Sequence, residues 1–370
     1  MQSVDKSARL AALDGLRGLA ALAVVLLHGN EIFILPWVPK NAYLAVDFFF
    51  LLSGYVLARS FDDGLRRGGA GEFLRRRMLR LYPLIVAGSL IGLTVLVLRS
   101  LMAHALGPAE VVVDFVCSLL LLPSPPWFGR GWNMYPDDPP LWSLFYELTV
   151  NVVYALAAPW LTTKRLIAFT GVIGLGLAAA ILWFHNADFA LDHFAFGALR
   201  VLFSFSAGIL FHRLEAAAKA QAALQRLGGL ARLAQPLAFV GLGLVLFSPA
   251  GLSAAYALVA IFVVFPLVLT ASLAAPALGR RAERLCLVLG VISYPLYVLH
   301  HPSFRLISGT FFHASPLRVR MAAMAASFVA VVIGSYLADR IYDQPVRKWL
   351  TRVTSRRTGG PVARSAPVVT

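Results

Sequence analysis

The stretch Leu10–His28, LAALDGLRGLAALAVVLLH, decides the fold class. It is apolar for a length that spans a hydrocarbon core about 30 Å thick at about 1.5 Å per helical residue, yet it contains Asp14, Arg17 and His28. At about 100° per residue, the steps from Arg17 to His28 make three turns plus about 20°, so both side chains share one helix face. They stand about 16 Å apart along the axis, roughly half a bilayer. Inside a membrane such groups are stable only against protein or a water-filled cavity, which makes the pair a candidate functional site. Asp14 lies one turn before Arg17 and can pair with it; the alternative is a buried ion pair that only fixes helix packing.

Composition extends the membrane reading to the whole chain. Of 370 residues 59% are hydrophobic and only 14% charged, and the mean hydropathy is +0.75, far from a soluble domain's balance. The net charge of +15 does not point to nucleic acid, because the basic residues fall in short connections between apolar runs, as in cytoplasmic loops. Cys117 and Cys286 lie inside apolar runs and read as small packing residues. No removable signal peptide is expected at the N-terminus, and no metal site is expected.

Apolar runs fall near 10–28, 42–60, 82–103, 110–122, 141–162, 165–184, 197–213, 236–249, 252–274, 285–306 and 320–341. The basic segments Arg59–Arg80, Lys164–Arg165, Arg213–Arg232, Arg280–Arg284 and Arg347–Arg357 all fall on one side only if the run 110–122 does not cross. That run is short and contains Asp114, and it reads as re-entrant or interfacial. The expectation is an all-α polytopic membrane protein of about ten transmembrane helices with both termini cytoplasmic. Residues 1–350 form the membrane domain and 351–370 a disordered basic cytoplasmic tail. The loops near His185 and His313 and the stretch Pro123–Pro140 then lie outside.

Further polar groups interrupt the apolar runs. His28, followed by Gly29-Asn30-Glu31, sits at the outer end of the first helix with a pKa suited to a general base. In LWSLFYELTVNVVYAL, Glu147 lies about a turn inside the membrane, with Trp142 and Ser143 on the preceding turn. Burial calls for a partner, and Glu147 and His28, both toward the outer half, could meet across helices. Trp142 reads as an interfacial belt residue. In GVISYPLYVLHHP, Ser293, Tyr297 and His300 form an i, i+4, i+7 stripe; the alternative is hydroxyls satisfying backbone carbonyls. Asp47 in VDFFFLLSGYV faces the outer cavity, while Gly54 there reads as a close-packing residue. In EFLRRRMLRLYP, Arg75, Arg76, Arg77 and Arg80 form a cationic edge that could bind a polyphosphate ligand from the cytosol, or serve only topology and anionic lipid.

Together these segments resemble the integral-membrane acyltransferase family 3, over about residues 10–350. The motifs LDGLRGLAALAVVLLH, VDFFFLLSGYV, RRRMLRLYP, LWSLFYELTVNVVY, GVISYPLYVLHHP and YDQPVRKW occur in the family's order. The resemblance implies an O-acyltransferase acting on carbohydrates and other acceptors, with His28 and Glu147 catalytic and Arg17, Arg75 and Arg80 engaging acyl-CoA; the cationic edge adds Arg76 to these. Asp14, Asp47, Ser143, Tyr297 and His300 are further cavity candidates. Leu148 stands where the family often has a second acidic residue, and Asp343 where it commonly has glutamate.

The expected enzyme is a multi-pass protein of the cell inner membrane with no permanently bound cofactor. It takes acyl-CoA, acetyl-CoA foremost, as donor and a carbohydrate or lipid-linked glycan as acceptor. Its other partners are membrane lipids and glycan-assembly proteins. The chain is expected to end before any added extracellular esterase-like domain. The reading from another class is a transporter or flippase of lipid-linked glycans, which would be expected to show internal repeats.

Overall fold

A computed structural model describes residues 2–103, 106–125, 135, 137–184, 194–226, 228–248, 253–276, 278–308 and 315–357. The described secondary structure is entirely helical. Helix α1 (Gln2–Ile32) is followed by a single 3₁₀ turn and α2 (Ala45–Arg66), α3 (Ala70–Ala103), α4 (Pro108–Leu120) and α5 (Leu141–Ala157). Then come α6 (Thr163–Phe184), α7 (Phe194–Arg213), the short α8 (Ala216–Gln225), α9 (Ala234–Phe247), α10 (Ala254–Val259) and α11 (Phe265–Ala274). The chain closes with α12 (Arg280–Ser308), α13 (Leu317–Ala338) and α14 (Gln344–Arg357). A π-helical turn joins α10 to α11 and another joins α13 to α14, so each pair forms one continuous rod.

Among the described residues nine segments are long and apolar enough to cross a membrane. Helix α5, apolar over 17 residues, is the tenth rod, as the charge pattern requires. The direction of packed helices supports leaving α4 out. Arg17 meets Ser293 while His28 meets His300, so α1 and α12 run parallel. Asp47 meets Arg200 while Asp62 meets Arg213, so α2 and α7 run parallel too. With α4 omitted, these are the first and ninth crossings and the second and sixth, pairs of equal parity. Counting α4 as a crossing would make both pairs antiparallel.

Helix α1 is central. Of its apolar window 72% is buried, against 28% for α6, whose Val172, Leu175 and Trp183 point outward toward lipid. The α1–α12 contact is close because small residues line it. A Cβ on Gly290 would meet the Asp14 Cβ at 2.5 Å, and side chains on Gly15 or Gly18 would collide with Cys286 or Leu289. Gly54 packs in the same way on the α7 backbone at Phe205 and Gly208.

The boundary expected at residue 350 falls inside α14, which continues to Arg357. Its Thr354 hydroxyl accepts a 2.9 Å hydrogen bond from Arg75 on α3, tying the segment to the bundle. The loops near His185 and His313, most of Pro123–Pro140 and the tail after Arg357 lie outside the described residues.

Candidate functional site

Polar side chains gather at two levels along α12. At the level that the charge pattern reads as outer, His28 Nδ1 lies 2.8 Å from His300 Nε2, with the two rings stacked, and His301 packs edge-on against His28. His300 is fully buried and His301 nearly so, whereas His28 is only partly buried. His300 Nδ1 lies 3.0 Å from the Leu296 carbonyl. A carbonyl can only accept, so His300 Nδ1 carries the hydrogen and its Nε2 holds the lone pair. His28 Nδ1 must then donate, which leaves the lone pair of His28 on Nε2. That nitrogen has no hydrogen-bond partner among the described residues.

The stripe 293-297-300 makes its contacts across helices. Tyr297 shares a 2.7 Å hydrogen bond with Ser143 of α5. The Ser293 hydroxyl donates to its own helix at Gly290 O (2.7 Å) and accepts from Arg17 Nε (2.8 Å). The backbone-satisfaction reading of the stripe therefore applies to Ser293, which also joins α12 to Arg17 of α1.

Beside His301 stand two aspartates that the sequence reading passed over. Asp137 and Asp138 are completely buried just ahead of α5. Asp137 accepts a 2.7 Å hydrogen bond from Ser118 of α4. Among the described residues neither oxygen of Asp138 has a hydrogen-bond partner, and its Oδ1 lies 3.9 Å from His301 Nδ1, which is also unpartnered there. Burial pushes the Asp138 carboxyl well above the ordinary carboxylate range and the adjacent Asp137 reinforces this, while Arg305 opposes it.

The inner level is cationic. Arg17 pairs with Asp14 at 3.0 Å and donates to the Gly290 carbonyl at 2.8 Å. Arg80 lies over the Tyr294 ring and 3.6 Å from Asp343, which Arg347 approaches to 2.8 Å. Arg77 and Arg80 both lie within electrostatic reach of Arg17. Arg75 and Arg76 point away from this cluster, and both pair with Glu72 of their own helix at the exposed rim. The sequence reading set Arg77 in the cationic edge but not among the residues engaging the donor, yet it is the arginine of this run that turns inward with Arg80. Its signal was the helical spacing of 77 and 80 with the buried Leu81, Leu84 and Ile85.

Glu147 is the main displacement from expectation. Its partner is Arg77, not His28, and it belongs to the inner level. Of the residues leading into α5, Asp137, Asp138, Pro140 and Leu141 are themselves buried. Helix α5 therefore starts below the surface, and Glu147 lies deeper than its distance from the helix start suggests.

Asp47 does not face an open outer cavity either. It forms a fully buried ion pair with Arg200 of α7, which the sequence reading also left out. An arginine inside the apolar run 197–213 was its signal. Arg200 lies over the Tyr43 and Trp142 rings, and Trp142 is buried there rather than set in an interfacial belt. A similar lock joins Asp62 to Arg213 and Tyr154.

Comparison with known proteins agrees with this architecture. A family model described as an acyltransferase domain matches residues 10–340. "Protein 2 in picA locus" of Rhizobium radiobacter is 38% identical over 49% of this chain and 96% of its own length. The acyltransferase MdmB of Streptomyces mycarofaciens is 32% identical over 47% of this chain and 45% of its own. BcsY of Komagataeibacter xylinus, named for a membrane-bound transacylase, is 29% identical over 88% of this chain and 80% of its own. No solved structure matches. By the extent of the family match, and by the polytopic helical fold around His28 and Arg17, the chain belongs to acyltransferase family 3 and is a membrane acyltransferase.

Proposed function

We propose that the protein is an inner-membrane O-acyltransferase that takes an acetyl group from cytoplasmic acetyl-CoA. The acceptor is a hydroxyl of a glycan, such as an exopolysaccharide or its lipid-linked precursor. The histidine pair carries this reading. A buried imidazole that orients a partly buried one and leaves its Nε2 free is the base-plus-orienter arrangement that activates a hydroxyl or accepts an acyl group.

The inner arginines suit the other half of the reaction. Arg17, Arg77 and Arg80 form a positive lining below His28, and Arg75 and Arg76 add charge at the rim, where the donor's phosphates would arrive. With both termini cytoplasmic, that rim faces the CoA pool, and the thioester arm would run past Arg17 toward His28. In direct transfer the acceptor oxygen bonds to the acyl carbon as its proton passes to His28 Nε2. The carbon–sulfur bond breaks, and the thiolate of CoA takes the proton. In a two-step route His28 Nε2 itself holds the acyl group between donor and acceptor. The donor is a substrate, and no permanent cofactor is required.

The reading is tested with purified protein in lipid nanodiscs, radiolabelled acetyl-CoA and a panel of glycan acceptors. Label recovered as an acetyl ester on a glycan is the expected result. Intact acetyl-CoA with every acceptor would contradict the reading.

A further inference from the structure

Asp138 poses a physical problem that the acyl-transfer reading leaves unsolved. A buried carboxyl without a hydrogen bond is costly, more so when charged, yet both of its oxygens lack a partner among the described residues. Helix capping does not explain it, because those oxygens accept no hydrogen bond from the first turn of α5. Asp137, its neighbour, has Oδ1 occupied by Ser118, while its Oδ2 also lacks a partner among the described residues. Across a 3.9 Å gap stands His301 Nδ1, also buried and unpartnered. That gap is too long for a direct hydrogen bond, and both groups would be satisfied by a third that donates to one and bonds the other. On the α3 side Gly88 faces this pair, and a Cβ there would stand 3.9 Å from Asp138 Oδ2, in ordinary van der Waals contact. His301 in turn packs against His28, with ring centroids 5.4 Å apart.

We propose that Asp138 and His301 form an acceptor subsite that holds one hydroxyl of a polyhydroxylated molecule while another hydroxyl of the same molecule is presented to His28. A hydroxyl both donates and accepts, as the gap between these groups requires. A sugar ring carries several hydroxyls spaced across a few ångströms, whereas a simple alcohol has none to spare. This inference rests on the acyl-transfer reading and adds the chemical class that the site selects. Asp138 and His301 make and break no bonds in the transfer. The acceptor's reacting hydroxyl loses its proton to His28, and the thiol leaves with it.

The test compares octyl β-glucoside with 1-octanol as acceptors of labelled acetyl-CoA in nanodiscs. The wild type should esterify the glucoside faster. Asp138→Ala removes a group with no protein partner, so its thermal stability should not fall and its acetyl-CoA affinity should hold. Its kcat/KM should drop about tenfold to a hundredfold for the glucoside, the worth of a lost hydrogen bond to a charged or buried group. For octanol it should change by less than about twofold. Asp138→Asn, equal in size, should show a smaller loss with the same selectivity, and it serves if the alanine variant does not insert. Equal falls for both acceptors, or no fall for either, would overturn the subsite while leaving acyl transfer intact. A wild type that esterifies neither acceptor would overturn the subsite and the reading beneath it together.

Discussion

Nδ1 of His28 and Nε2 of His300 lie 2.8 Å apart, and the Leu296 carbonyl, 3.0 Å from the other nitrogen of His300, fixes which of them holds the proton. In the proposed mechanism a neutral imidazole here takes the orienting place that a carboxylate has in a serine-hydrolase triad. His300→Ala should therefore lower kcat about tenfold to a hundredfold, a fraction of what general-base assistance supplies, with acetyl-CoA affinity unchanged. His300→Gln, whose amide oxygen can accept from His28, should recover part of the loss. Equal kcat in wild type and His300→Ala would assign His300 to packing alone.

Arg77 and Glu147 should behave as one unit. Each single alanine substitution leaves a charge in the bundle without its partner, and the double substitution removes both. Thermal unfolding in detergent should give a double-mutant cycle with a coupling of about 0.5–3 kcal/mol. Strict additivity would mean that the ion pair contributes nothing to the folded state.

The arginines should separate by position. Arg80, inside the bundle beside Asp343 and Tyr294, should weaken acetyl-CoA binding by about 1.5–3 kcal/mol when changed to alanine. Arg76, exposed and paired with Glu72, should weaken it by less than about 1 kcal/mol. Isothermal titration of the two variants reads the difference directly. The reverse order would move the donor phosphates out to the rim.

Topology can be read with single cysteines. Trp37, exposed between α1 and α2, should label from outside when replaced by cysteine. Gly71, at the start of α3 with open space around it, should label only after permeabilisation. Labelling of position 71 in intact cells would invert the orientation and put the arginine rim away from the CoA pool.

The first helix was legible because its polar residues are few and its period is strict. Arg17 and His28 share a face by angle, and both bond α12. The charge pattern likewise excluded α4 as a crossing, and the parity of helix packing agrees. Depth was not legible at Glu147, because counting from a helix start assumes that the start lies at the surface, and Leu141 is fully buried. Partners on distant helices were equally hidden. Arg200 for Asp47 and Arg77 for Glu147 follow only from how the rods dock. Asp137 and Asp138 sat in a proline-rich stretch that reads as an exposed loop, and nothing local announces that it folds inward.

The most direct measurement is the transfer rate of His28→Ala in nanodiscs, with acetyl-CoA affinity and thermal stability taken on the same sample. If Nε2 of His28 takes the acceptor's proton or the acyl group, the rate should fall by about 10²–10⁴, the span of general-base assistance. Binding should survive, because the donor's phosphates engage arginines about half a bilayer away. A transfer rate within about tenfold of wild type, in a folded protein that still binds acetyl-CoA, would contradict the central role given to His28.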